Sequence, residues 1–227
     1  MKKLFLMAAT ATLAASGMAG LSLAQTYQAG NSVQAAQQSN QAAFTDPSSV
    51  RADLARIDGA MNATTTFSGD FKQFSPDGSV ATGKVYLSRP ENLRFEYDAP
   101  NPLLIVADNG MLVQHDKDLQ TYDRVPLSAT PLSYFLKENL NLANDAQVVA
   151  LQKNATNWSV TARDGSGEMD GAITMVFDAQ NLALKEWIIT DDFGGQTRVV
   201  LSNLSYNARL DPRLFILRED SNRRDRR

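Results

Sequence analysis

Residues 83–136 read GKVYLSRPENLRFEYDAPNPLLIVADNGMLVQHDKDLQTYDRVPLSATPLSYFL, and the period of this stretch decides the fold. Val85 and Leu87 alternate with Lys84 and Tyr86, then Leu93, Phe95 and Tyr97 with Arg94 and Glu96. Successive side chains on a strand point to opposite faces, so these are half-buried antiparallel strands. Asp108-Asn109-Gly110 supplies a tight turn between strands at 103–107 and 111–115, and residues 116–118 supply another before a strand at 121–125. The pattern is a meander.

Working outward toward the amino terminus, Val50, Leu54, Ile57 and Met61 recur at spacings of four, three and four, the apolar stripe of an amphipathic helix over 50–61. Asp46 or Ser48 can cap it, Pro47 fits its first turn, and Gly59 and Asn62 signal its end. From Thr64 the period changes to two, with Phe67, Gly69 and Phe71 on one face. Toward the carboxyl terminus, Thr130-Pro131 reads as a cap and first-turn proline of a short helix over 131–140 carrying Leu132, Phe135, Leu136 and Leu140. Strands then resume at 146–152, 158–163, 172–177, 184–190, 197–204 and 214–217, with turns at Asp164-Gly165, residues 179–181 and Gly194-Gly195.

So many sequential strands with only two helices define a mainly β chain with some α: an unclosed antiparallel β-barrel, one strongly curved sheet with a helical lid. A fully closed barrel needs no helical cover, whereas an open one under helices encloses a cavity that can open. Phe67, Phe71, Phe95, Tyr97, Phe135, Trp158 and Trp187 each read individually as core. Together, under two thin helices, they imply more apolar surface than the interior fills, a candidate lipid pocket. Arg89, at a strand end beside Pro90, is a cation at the rim of that surface.

The first residues have the order of a secretory signal: Lys2 and Lys3, an apolar run, and Ser22-Leu23-Ala24 as the small-residue cleavage pattern. Cleavage is placed after Ala24, giving a signal peptide at 1–24 and export to the periplasm. The run is rich in Ala, Thr, Ser and Gly, marginal for a membrane span. Residues 25–45, mostly Gln, Ala, Ser and Asn, read as a flexible polar leader. The domain covers 46–217, and 218–227 is an Arg-rich tail. The chain has no cysteine, so an exported fold must hold by its core alone and carries no lipid-attachment thiol. With Lys2 and Lys3 removed, 20 basic residues face 25 acidic ones, a formal charge of −5. That disfavours nucleic acid as a partner.

Chemistry is sparse. His115 is the single histidine, so a transition-metal site or a Ser-His-Asp triad would rest on it alone, and its place beside Asp116 at a strand end reads as surface. Asp191-Asp192 precedes Phe193-Gly194-Gly195 and reads as a hairpin turn; adjacent strand residues also face opposite ways, which spoils a carboxylate pair. There is no phosphate-cradling glycine loop and no GxSxG elbow. The chain reads as a binding protein with no catalytic residue, no metal and no cofactor.

At this point Phe71-x-Gln73, Gly83-x-Val85-x-Leu87-x-Arg89-Pro90, Leu93-Arg94-Phe95-x-Tyr97, Pro100, residues 105–110 (IVADNG) and Thr130-Pro131 with its helix resemble the periplasmic outer-membrane lipoprotein carrier proteins, the LolA family, over residues 50–217. The resemblance implies an unclosed barrel with a helical lid, and a chaperone that takes acylated lipoproteins from an ATP-driven releasing complex in the inner membrane to an outer-membrane acceptor. It implies a latch at Arg89 with Pro90, the guanidinium holding lid carbonyls while the cavity is empty. Leu54, Ile57, Leu87, Leu93, Phe95, Ile105, Phe135 and Leu136 are the expected acyl-chain lining, and the expected state is a monomer. A lipid- or lipoprotein-binding sensor or acceptor module on the same fold is the alternative. The polar leader and the Arg-rich tail depart from the family pattern.

Overall fold

The computed structural model describes residues 47–164 and 171–217. The signal at 1–24, the leader at 25–45, the Asp46 cap, Gly165 of the turn read after Asp164, and the tail at 218–227 lie outside the described residues. Eleven strands follow helix α1 (Pro47–Ala63): β1 (Thr66–Phe74), β2 (Val80–Ser88), β3 (Asn92–Tyr97), β4 (Leu103–Asp108), β5 (Met111–Asp116), β6 (Thr121–Pro126), then, after the covering segment, β7 (Gln147–Lys153), β8 (Asn157–Arg163), β9 (Ala172–Asp178), β10 (Leu184–Thr190) and β11 (Gln196–Tyr206). They form one antiparallel sheet in the order β6-β5-β4-β3-β2-β1-β11-β10-β9-β8-β7. Every neighbour is thus the next strand in sequence, except at the β1/β11 seam. The edges β6 and β7 do not pair, so the barrel is unclosed as its sequence pattern predicts.

Alternation fixes the concave face. Val85 and Leu87 of β2, and Leu93, Phe95 and Tyr97 of β3, are buried, with Lys84 exposed and Tyr86 half-buried on the other face of β2. They join a single core with Phe67, Phe71, Trp158, Trp187 and the helical residues Leu54, Ile57 and Met61. The covering segment between β6 and β7 contains a 3-10 turn (Leu127–Ala129), α2 (Ser133–Leu136) and α3 (Leu142–Asp145). Its Phe135, Leu136, Leu140 and Leu142 enter the same core.

The structure corrects four local expectations. Helix α1 continues through Gly59 and Asn62 to Ala63, because its buried stripe Leu54, Ile57 and Met61 anchors it past the glycine. Ser48 lies within the helix, not at its cap. The helix expected at 131–140 shortens to α2, Ser133–Leu136, with α3 following beyond that span; the Thr130 hydroxyl donates back to the Leu127 carbonyl (2.9 Å) and does not cap α2. Finally, 214–217 is not a strand. Pro212–Phe215 is a 3-10 turn capped by the Asp211 carboxylate, which accepts from the Arg213 amide (2.9 Å).

That last turn lies against β3 and β4 on the convex side, where Arg94 donates to the Leu214 carbonyl (3.1 Å). Leu104 and Val106 are buried there together with Phe215, although they belong to the opposite face from Ile105. This explains why β4 is buried on both faces, a departure from simple alternation.

Candidate functional site

Arg89 follows the last residue of β2, at the end of the sheet where α1 terminates. Its backbone amide donates to the Thr65 carbonyl (2.8 Å), which holds the strand end against the helix-to-strand corner. The side chain then reaches across: Nη1 donates to the Met61 carbonyl at 2.6 Å, and Nη2 lies 3.9 Å from the Met61 sulfur. Met61 is in the last turn of α1, where carbonyls have no helical partner. Two residues on, the Glu91 amide donates to the Leu136 carbonyl of α2 (3.0 Å). The Arg89-Pro90 corner therefore bonds to both covering elements, α1 through a side chain and α2 through the backbone.

The resemblance implies several carbonyls around this guanidinium; the structure gives it one. Its Nε is buried with no hydrogen-bond partner. Burial lowers the guanidinium below its ordinary range, to about 10, so it stays charged at neutral pH. A charge that is buried and only partly satisfied is held at a cost.

Beside it is a cavity of about 340 Å³ lined by Met61 and Ala60 of α1, Phe67 and Leu87 of the sheet, Phe135 of α2 and Leu182 of the β9–β10 turn. Arg89 lies on its wall. A second hollow of about 320 Å³ lies at the other end of α1, between Val50, Leu54, Ala143, Ala146 and Val148. Of the eight residues expected to line an acyl cavity, Leu87 and Phe135 border the first space and Leu54 the second. Ile57, Leu93, Phe95, Ile105 and Leu136 are buried in the continuous core between them. All eight belong to one buried apolar cluster.

The covering segment is pinned to α1 by polar contacts that sequence reading missed. Asn62 donates its side-chain amide to the Leu140 carbonyl and accepts from the Leu140 amide, both at 2.9 Å. The Asp58 carboxylate accepts from the Leu142 amide (3.1 Å), and burial raises its pKa, opposed by that bond. The chain's separation of 78 residues between Asn62 and Leu140 leaves no local pattern from which this pair could be read. Farther along α1, Asp53 pairs with Lys153 of the edge strand β7, and Arg56 stacks 4.6 Å over the Trp158 ring.

The residues weighed for catalysis have structural placements. The Asp191 carboxylate accepts from the amides of Phe193 and Gly195, each at 2.8 Å, and so builds the β10–β11 turn. His115 is half-buried and stacked on Tyr122 with centroids 4.2 Å apart. Among the described residues, no three His, Cys, Asp or Glu side chains are grouped to hold a metal ion, and no helix is long and apolar enough to cross a membrane.

A mainly antiparallel, unclosed sheet with helices over an apolar interior and an arginine at the rim is the architecture of a carrier fold. The chain belongs to the outer membrane lipoprotein carrier protein LolA family, whose profile matches residues 62–218. An outer-membrane lipoprotein carrier protein of Chromobacterium violaceum is 28% identical over 71% of this chain and 81% of its own length. One from Methylibium petroleiphilum is 31% identical over 60% of this chain and 69% of its own. Among solved structures, a LolA superfamily protein from Nitrosomonas europaea aligns with TM-score 0.44 and 11% identity over 74% of this chain and 97% of that one.

Proposed function

We propose that this protein is a periplasmic carrier that shields the acyl chains of lipoproteins released from the inner membrane by an ATP-driven complex, and hands them to an outer-membrane acceptor. The observation that carries this reading is the single bond from Arg89 to the Met61 carbonyl beside an apolar cavity of about 340 Å³. In the empty carrier, that bond and the Glu91 amide keep α1 and α2 over the sheet. An arriving acyl chain takes the place of Phe135, Leu136 and the α1 side chains against the concave face, and the Met61 contact is given up.

Magnitudes support a carrier of modest affinity. Each methylene hidden from water contributes about 0.8 kcal/mol, so a triacylated cysteine with on the order of 40 of them stands to expose roughly 30 kcal/mol. Such a cargo cannot cross water uncovered. It must also leave, and a cover that re-forms its own polar contacts with Arg89, Asn62 and Asp58 competes with the lipid and assists release. The residues Leu54, Ile57, Leu87, Leu93, Phe95, Ile105, Phe135 and Leu136 are the proposed lining, with Arg89 and Pro90 as the latch of a monomeric carrier.

The test is to incubate the purified protein with inner-membrane vesicles containing labelled lipoprotein and an active, ATP-supplied releasing complex. A one-to-one complex in the supernatant is the expected product. Lipoprotein that stays with the vesicles, under conditions in which an established carrier removes it, refutes the reading.

A further inference from the structure

Gln73 and Ser75 are the buried polar side chains among the described residues, at 5% and 9% exposure, and they sit together. The Tyr97 hydroxyl, on a side chain 6% exposed, donates to Gln73 Oε1 at 2.8 Å; Gln73 Nε2 in turn reaches Ser75 Oγ at 3.3 Å. Buried polar groups are costly unless bonded to one another, and once bonded they are costly to separate. A bonded polar plate inside an apolar chamber therefore resists anything greasy that would part it.

Strand register shows where the plate lies. Phe67 faces Leu87, which faces Leu93; Val85 faces Phe95; Phe71 faces Gly83, which faces Tyr97; and Gln73 faces Ala81. These rows descend from the Arg89 rim, and the polar plate is the bottom one. A path of aromatic rings leads down to it from the cover: Phe135 to Trp187 (4.9 Å), Trp187 to Phe95 (5.9 Å), Phe95 to Phe71 (5.0 Å) and Phe71 to Tyr97 (5.0 Å). From Arg89 to the Gly83 row is six residues of strand, or about 20 Å at ~3.3 Å per residue.

We propose that Tyr97, Gln73 and Ser75 are the end stop of the acyl chamber, so that the protein selects acyl chains by length. An acyl chain whose polar end stays at the Arg89 rim slides along the path that Phe135 vacates. Its methyl end stops where further advance would strip Tyr97 and Gln73 of their mutual bond. This rests on the acyl-binding reading and adds a specificity determinant to it.

The experiment measures displacement of a fluorescent fatty acid from the full-length protein by saturated fatty acids of about twelve to about twenty carbons. Affinity rises about fourfold per methylene while apolar room remains, then levels off at a definite length. In Gln73→Ala with Tyr97→Phe, which removes the plate, the levelling moves to longer chains. In Gln73→Leu with Tyr97→Phe, which keeps the volume but has no hydrogen bond to break, the levelling also moves to longer chains. No levelling in the wild type overturns the end stop, as does a levelling that is unmoved in either variant once that variant is shown to be folded. Absence of fatty-acid binding at every length overturns the acyl-binding reading itself.

Discussion

At the residue scale, Arg89 and Gly83 have opposite demands. Arg89 is a partly satisfied buried cation, so Arg89→Leu removes a desolvation cost along with one hydrogen bond. The thermal midpoint is expected to move by no more than about 4 °C, while repeated cycles of cargo release per carrier fall; normal release over several cycles in that variant defeats the latch. Because burial brings the folded guanidinium down to about 10, below its value in the unfolded chain, the unfolded chain binds more protons only between the two values. Stability attributable to this group therefore rises with pH from about 10 upward and is flat at neutral pH. The difference between wild type and Arg89→Leu in urea unfolding is expected to be equal at pH 6 and pH 8. Gly83 is a packing requirement instead: a Cβ there would lie 2.1 Å from the Glu96 carbonyl oxygen and 2.7 Å from the Phe71 ring. Gly83→Ala is expected to cost about 2–3 kcal/mol in equilibrium unfolding.

At the element scale, the most informative piece is the covering segment between β6 and β7. Asn62→Ala would leave both the amide and the carbonyl of Leu140 without their partners, a local loss of about 1–3 kcal/mol. Amide exchange over residues 137–145 should accelerate while β1–β3 stay protected. Asp58→Asn keeps an acceptor for the Leu142 amide and removes a carboxylate whose pKa burial raises, so it should leave that exchange unchanged or slower. Sequence period revealed β2 and β3 because burial on one face forces Leu93, Phe95 and Tyr97 into strict alternation. It misread the cover, since Leu132, Phe135, Leu136 and Leu140 fit one helix equally well. What splits them is the long-range grip of Asn62 and Asp58 on 140–142. The run Leu214-Phe215-Ile216-Leu217 misled for a related reason: four apolar residues carry no period, and the Asp211 cap with Pro212 decides for a 3-10 turn.

At the scale of the whole molecule, the sheet consists of two meanders, β1–β6 and β7–β11, that meet at the β1/β11 ladder. Phe215 belongs to neither. It seals the convex side of β3 and β4, so Phe215→Ala is expected to lower global stability by about 3–5 kcal/mol with little change in relative affinity for acyl chains, checked by urea unfolding and probe displacement together. The unclosed architecture was legible because sequential short strands, several of them strictly alternating, leave a concave face that the helices must cover. The residues that shape its interior were legible only as apolar positions. The Asn62–Leu140 clasp, side chain to backbone, and the Tyr97–Gln73 bond, side chain to side chain, join groups distant in sequence, and no spacing announces them. One consequence of the topology remains: the covering segment is also the connection from one sheet edge, β6, to the other, β7. Any widening of the gap between the edges must be drawn through that same piece of chain. The cover is thus a tether as well as a lid, joining the two free edges of the sheet that it overlies.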